Sequence, residues 1–250
     1  MKKYLNPDLM PLITLGLGII GMLLRLWQHI GGVEESGLLI PGHISGVLLL
    51  ILTVITLLLI LVCTWSLSQG SKYHYNFPMS LPGCVGAFIG AVGLLVTALT
   101  ELVTGSDLLS AAAGVLGILA AGSLCVLAIS RLHGRQPNVL FHICITVYLM
   151  LRLICQYRIW SSEPQLMLYC YPLLATVCAV LSCYQSAAFD GNLGARRPHA
   201  FFHLAAVYFC CLSLIGDHEP GFFLAMLAWM FTDICRLSPM PRQFPREEEV

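Results

Sequence analysis

Charge is what this chain of 250 residues has least of. Asp, Glu, Lys and Arg make up only 10% of it, against about 25% in soluble domains. So few ionisable side chains cannot cover the surface of a water-soluble globule of this length. The 13 basic and 13 acidic residues also cancel, which excludes a basic nucleic-acid binder. A hydrophobic content of 58% and a mean hydropathy of +0.82 exclude disorder. Sequence signatures of chemistry are missing too. There is no G-x-x-x-x-G-K-[ST] phosphate loop, no G-x-S-x-G nucleophile turn and no C-x-x-C pair, so ATP-driven transport within this chain, serine-type hydrolysis and thiol redox chemistry lose their usual warrants. No cofactor is indicated. The 11 cysteines lie in apolar runs or at their edges, where they read as small fillers between helices.

Long apolar runs are what the chain does have. A helix crosses a bilayer with roughly 20 mainly apolar residues, because every backbone hydrogen bond must close within the segment. Eight runs qualify, near 11–27, 44–65, 82–103, 108–130, 139–157, 165–185, 198–215 and 221–236. Pro11, Pro41, Pro82, Pro137, Pro164, Pro198 and Pro220 stand at or just before their entries, where a missing N–H costs little. The expectation is an all-α integral membrane bundle of about eight transmembrane helices, a single domain over 1–236 with a short tail at 237–250.

Basic residues in short loops stay on the cytoplasmic side. With eight spans and the N-terminus inside, Lys2, Lys3, Lys72, Arg131, Arg135, Arg196, Arg197, Arg236, Arg242 and Arg246 fall inside, and only Arg25, Arg152 and Arg158 fall towards the outside. Both termini are then cytoplasmic. Counting the carboxylates the same way divides the neutral chain into an inner side at +4 and an outer side at −4. Lys2 and Lys3 precede the first run as in a signal peptide, but the run is long, contains Arg25 and lacks a small-x-small cleavage site, so it reads as a retained first span. The expected setting is the plasma membrane. The expected partners are the bilayer itself and either a small solute or another membrane protein, with no nucleic acid.

Small residues punctuate two spans. Gly83, Gly86, Gly90 and Gly93 recur on one face of the third, and Ala113, Gly117 and Ala121 on one face of the fourth. Such spacing lets helix backbones approach closely in lipid, so these spans are expected to pack face to face as an antiparallel hairpin. A faint internal echo pairs 22–28 with 149–156 around Arg25 and Arg152, and 129–132 with 234–237 around Arg131 and Arg236.

An ionisable side chain within a span is a candidate for function. Counted from the outer ends at about 1.5 Å per residue, Arg25, Glu101 and Arg152 lie at similar depth. Thr97 stands one turn from Glu101, and Gln28 and Gln156 follow the two arginines. A carboxylate between two guanidiniums, flanked by amides and a hydroxyl, suits an anionic or zwitterionic solute or a proton relay. The same residues also suit snorkelling to headgroups and a pairing that holds spans together. No charged residue falls at the midplane of a span, which argues against a proton pump or a voltage sensor.

On the inner side His199 and His203 are four residues apart on the seventh span, so both imidazoles leave one helix face, the spacing a metal ion needs. His142 and Asp233 lie near the same depth and complete the candidate metal set. In His199-Ala200-Phe201-Phe202-His203 an alanine stands where a zinc peptidase has its general base. The pair resembles the two histidines in the seventh span of the ceramidase and progestin-receptor-like membrane hydrolases, which implies metal-dependent hydrolysis. The resemblance covers those two residues, and the Ser and His of that family's second span and the acidic residue of its third have no counterpart near the inner side. Asp190-Gly191-Asn192-Leu193-Gly194-Ala195-Arg196 resembles the Asp-Gly-x-x-Ala-Arg element of CDP-alcohol phosphotransferases, one residue too long and without the downstream Asp pair. Three readings follow: a small-solute carrier with its site at Arg25, Glu101 and Arg152; a structural or partner-binding subunit with no site of its own; and a metal-dependent hydrolase using His199 and His203.

Overall fold

A computed structural model describes residues 9–32, 43–67, 72–105, 107–161, 169–216 and 219–237. Lys2, Lys3, Glu34, Glu35, Glu163, Asp217, Arg242, Arg246 and the tail beyond Leu237 lie outside the described residues. Among the described residues every element is helical: α1 (Met10–Gly31), α2 (Ile44–Trp65), the single turn α3 (Tyr73–Asn76), α4 (Leu81–Thr104), α5 (Leu108–His133), α6 (Val139–Trp160), α7 (Cys170–Asp190), α8 (Arg196–Ser213) and α9 (Pro220–Arg236). Six helices, α1, α2 and α4 to α7, are long and apolar enough to cross a membrane. The chain is thus a multi-pass helical bundle suited to a lipid bilayer. The two remaining long helices follow the last two apolar runs and are shorter, with 18 and 17 residues.

Local chemistry sets the helix ends. Ser80 caps α4 by accepting the Gly83 N–H at 3.1 Å, and proline occupies the first turn of α1, α4 and α9, where its missing N–H would be unpaired anyway. Gly134 ends α5 in the left-handed region at φ 63°. The tight turn from α7 into α8 uses Asn192 at φ 58°. The side chain of that asparagine accepts the Tyr73 N–H at 3.1 Å, tying α3 down across the end of the bundle.

α8 is the axis. It packs against α1, α2, α7 and α9, and every residue from His203 to Ser213 is buried. Around it the neighbours run α9 to α4, α4 to α5, α5 to α6, and α6 to α7. The outer helices bury only one face. On α2, Leu48, Leu50, Ile51, Val54, Ile55 and Leu58 are all exposed, which water would penalise and acyl chains do not.

The α4–α5 hairpin forms as expected, but the glycine stripe of α4 faces a different partner. A methyl group at Gly83 would meet Arg236, at Gly86 the Thr232 side chain, at Gly90 the Trp229 Cβ at 2.9 Å, and at Gly93 the Ala225 Cβ. All four contacts belong to α9. Gly90 also reaches α5, at Leu124. The small residues of α5 serve other contacts, with Gly117 against Ala98 of α4 and Tyr148 of α6. The reason is the bulk of α9. Trp229 and Thr232 need a flat surface opposite, and a run of glycines is the flattest that a helix can offer.

Candidate functional site at the basic end

Ionic and polar side chains gather at two opposite ends of the bundle. One end collects Tyr73, Arg131, His142, Asp190, Arg196, His199, His203, Asp233 and Arg236, all of them buried. The other collects Arg25, Glu101, Asp107, Arg152, Arg158 and Glu219.

At the second end Arg152, from α6, is wholly buried. Its Nη1 donates to Glu101 of α4 and its Nη2 to Glu219 at the start of α9. The Phe222 ring lies over the guanidinium at 4.0 Å. Thus Glu101 and Arg152 are brought together, and a second carboxylate joins them from the loop before α9. Arg25 sits over the Tyr171 ring of α7 at 5.0 Å, on a helix that packs against α2 and α8. The Thr97 hydroxyl donates to the Gly93 carbonyl of its own helix at 2.8 Å. Gln156 Oε1 is buried without a hydrogen-bond partner among the described residues, and Gln28 lies beside Gly46 of α2. Arg158 and Asp107 make a further pair at the rim, 62% and 48% exposed.

At the basic end Asp233 of α9 is the hub. Arg131 Nη2 of α5 lies 2.7 Å from its Oδ1, Arg236 Nη1 lies 4.0 Å from the same oxygen, and His203 Nε2 lies 3.3 Å from Oδ2. One carboxylate therefore gathers three basic side chains from three helices. Arg236 also donates to the Tyr73 hydroxyl at 3.0 Å and stacks over Phe77 at 4.6 Å. Burial raises the Tyr73 phenol above its usual range, against the pull of Arg236 and Arg131. Tyr73 is therefore a neutral group that accepts from Arg236 and keeps its own O–H to donate. Beside this hub His142 of α6 pairs through Nδ1 with Asp190, the last residue of α7, and Gln136 donates to the Asp190 carbonyl.

A narrow cleft beside these groups is lined by Tyr73, Phe77, Arg131, Pro137, His142, Ser186, Asp190, Asp233 and Arg236. Its guanidiniums are incompletely used. Among the described residues, Arg131 Nη1 and Arg236 Nε are buried without hydrogen-bond acceptors, and Arg236 Nη1 has only the 4.0 Å contact with Asp233. A buried donor left unmade costs about 1–3 kcal/mol, more when charged.

Of the residues marked for metal binding, His199, His203 and Asp233 converge, whereas His142 is engaged by Asp190. Arg131, Arg236, Tyr73 and Asp190 were not singled out from the sequence as site residues. The two arginines sit at helix ends, where they read as topology markers, and Asp190 reads as part of a polar turn. Their one sequence signal is the repeated Arg-Leu after an apolar span at Arg131 and Arg236. Comparison of the chain with family models, curated proteins and solved structures finds no match.

Proposed function

We propose that this is an eight-span membrane protein, both termini cytoplasmic, that binds a small solute bearing an oxyanion in the cleft at its basic end. The observation that carries this reading is that Arg131 and Arg236, which line the cleft, keep two buried guanidinium nitrogens, Arg131 Nη1 and Arg236 Nε, with no hydrogen-bond acceptor among the described residues. A carboxylate or phosphate supplies acceptors in the fork geometry that guanidiniums match, and Tyr73 adds a neutral donor. His142, held by Asp190, lines the same cleft. The test is thermal melting of the detergent-purified protein with inorganic phosphate or acetate, against chloride at equal ionic strength. A saturable rise in melting temperature that Arg236→Gln removes supports the reading; an identical melt in all three salts overturns it.

The outer cluster favours a second, structural role. With Arg152 bound by two carboxylates and covered by Phe222, its charge ties α4, α6 and α9 together. This speaks for a clamp at Glu101 and Arg152 and against a carrier site there.

A further inference from the structure

At the hub of the basic end, three buried side chains converge from two helices. His199 and His203 stand one turn apart on α8 with ring centroids 4.0 Å apart, and Asp233 arrives from α9. One ligand atom of each lies within 4.8 Å of the other two.

Their hydrogen bonding is incomplete in a specific way. His203 Nδ1 lies 2.9 Å from the His199 carbonyl, so Nδ1 must carry a proton. In a neutral ring Nε2 is then a lone pair, yet it faces Asp233 Oδ2 at 3.3 Å. Two acceptors at that distance need a proton or a metal ion between them. His199 is 0% exposed, and neither of its ring nitrogens has a hydrogen-bond partner among the described residues. Phe77 and Phe189 meet it edge to face at 5.4 and 5.1 Å. An N–H can rest against a ring face, but the lone pair on the other nitrogen finds no donor. Protonating His203 would satisfy the contact with Asp233 and leave His199 as it is. A metal ion satisfies both.

The geometry points to a buried divalent metal site of the zinc class, with one imidazole nitrogen each from His199 and His203 and Oδ2 of Asp233 as ligands. Two imidazoles and a carboxylate are a borderline donor set that suits zinc better than calcium or magnesium. Tetrahedral zinc, with Zn–N bonds of about 2.0–2.1 Å, holds its ligand atoms roughly 3.4 Å apart, within reach of small side-chain rotations from the observed spacing. Arg131 takes Oδ1 of Asp233 and so presents Oδ2 to the metal, the orienting role of an outer-sphere partner. Three protein ligands leave a fourth position open, and Asp233 belongs to the cleft wall as well. With Arg131 and Arg236 adjacent, a divalent ion leaves the hub with excess positive charge, so the fourth ligand is an anion, hydroxide or the oxyanion of a bound solute. Only that last identity rests on the oxyanion reading above; the three protein ligands stand without it.

The full chain, purified in detergent without chelators or phosphate, is first assayed for bound metal by elemental analysis. It is then stripped and titrated with Co²⁺, whose visible bands report tetrahedral coordination. Stoichiometric zinc, or one equivalent of Co²⁺ with tetrahedral bands, is expected. His199→Ala and His203→Ala should each weaken Co²⁺ binding by more than the roughly 10–100-fold typical of outer-sphere changes. His199→Cys should keep it and add a sulfur-to-cobalt charge-transfer band, which separates lost ligation from a damaged fold. His133→Ala, at an exposed histidine that meets the Ile129 carbonyl of its own helix, should leave binding unchanged. A monodisperse wild-type protein that binds neither zinc nor Co²⁺, no new band in His199→Cys, or an equal loss in His133→Ala overturns the assignment. Repeating the titration with inorganic phosphate tests the fourth ligand separately: a shifted spectrum supports an oxyanion there, and an unshifted one removes the oxyanion while leaving the metal result in place.

Discussion

Asp233 shows how much one side chain can be asked to hold. It is buried with Arg131, Arg236 and His203 around it, and removing its charge strands the cations that it balances. Breaking a buried ion pair from one side costs about 3–5 kcal/mol, so Asp233→Asn should lower the melting temperature in detergent markedly. Arg158→Ala, at a rim pair, should cost about 0–1 kcal/mol and barely move it. The Tyr73 phenol adds a pH dependence. Because burial raises it above its ordinary value of 10.0, the folded state favours the neutral form. Stability from this residue is complete below that value and declines as pH rises past it towards the folded value. Tyr73→Phe should flatten this alkaline decline, as melts across an alkaline pH series would reveal. None of these roles was legible at the level of single residues. Arg131 and Arg236 look in the sequence like the basic residues that flank any cytoplasmic loop, and what distinguishes them is burial against a carboxylate more than a hundred positions away from one of them.

Between elements, the glycines of α4 give the sharpest test. A Cβ at Gly93 would meet the Ala225 Cβ of α9, a group with no rotamer to move aside, whereas a Cβ at Gly16 of α1 would meet nothing within 4 Å among the described residues. Overpacking of this kind costs about 1–3 kcal/mol. Gly93→Ala should therefore destabilise the bundle, while Gly16→Ala should be neutral or stabilising by up to about 1 kcal/mol. Equal melts for the two would show that α4 and α9 are not in close contact. The small-residue spacing made the existence of a close helix contact readable. Its partner was not, because α5 and α9 both offer complementary faces and only three-dimensional packing assigns Trp229 and Thr232 to the groove. The single turn α3 was likewise invisible in a polar loop, since Tyr73 and Phe77 acquire their meaning from the cluster with Phe189, Ala200 and Leu204 that they cover.

For the whole molecule, the arrangement of the two ends suggests how the chain threads the membrane. Reporter fusions at Gly105, between α4 and α5, and at Gly191, between α7 and α8, are expected to give opposite signals; matching signals would sink the eight-span topology. At about 1.5 Å per residue, the 18 residues of α8 reach about 27 Å, close to the roughly 30 Å of a hydrocarbon core, even though their composition is less apolar than that of the other helices. The same burial that makes α8 the axis of the bundle frees its sequence from the need to face lipid. Hydropathy is a property of consecutive residues, so the sequence by itself determined a helical, multi-pass membrane chain and the approximate limits of its long helices. Which charges meet is decided by lateral packing, to which no single segment is sensitive. Only the tertiary structure placed Arg152 between Glu101 and Glu219, set Arg25 over Tyr171, and drew His199, His203 and Asp233 into one buried hub.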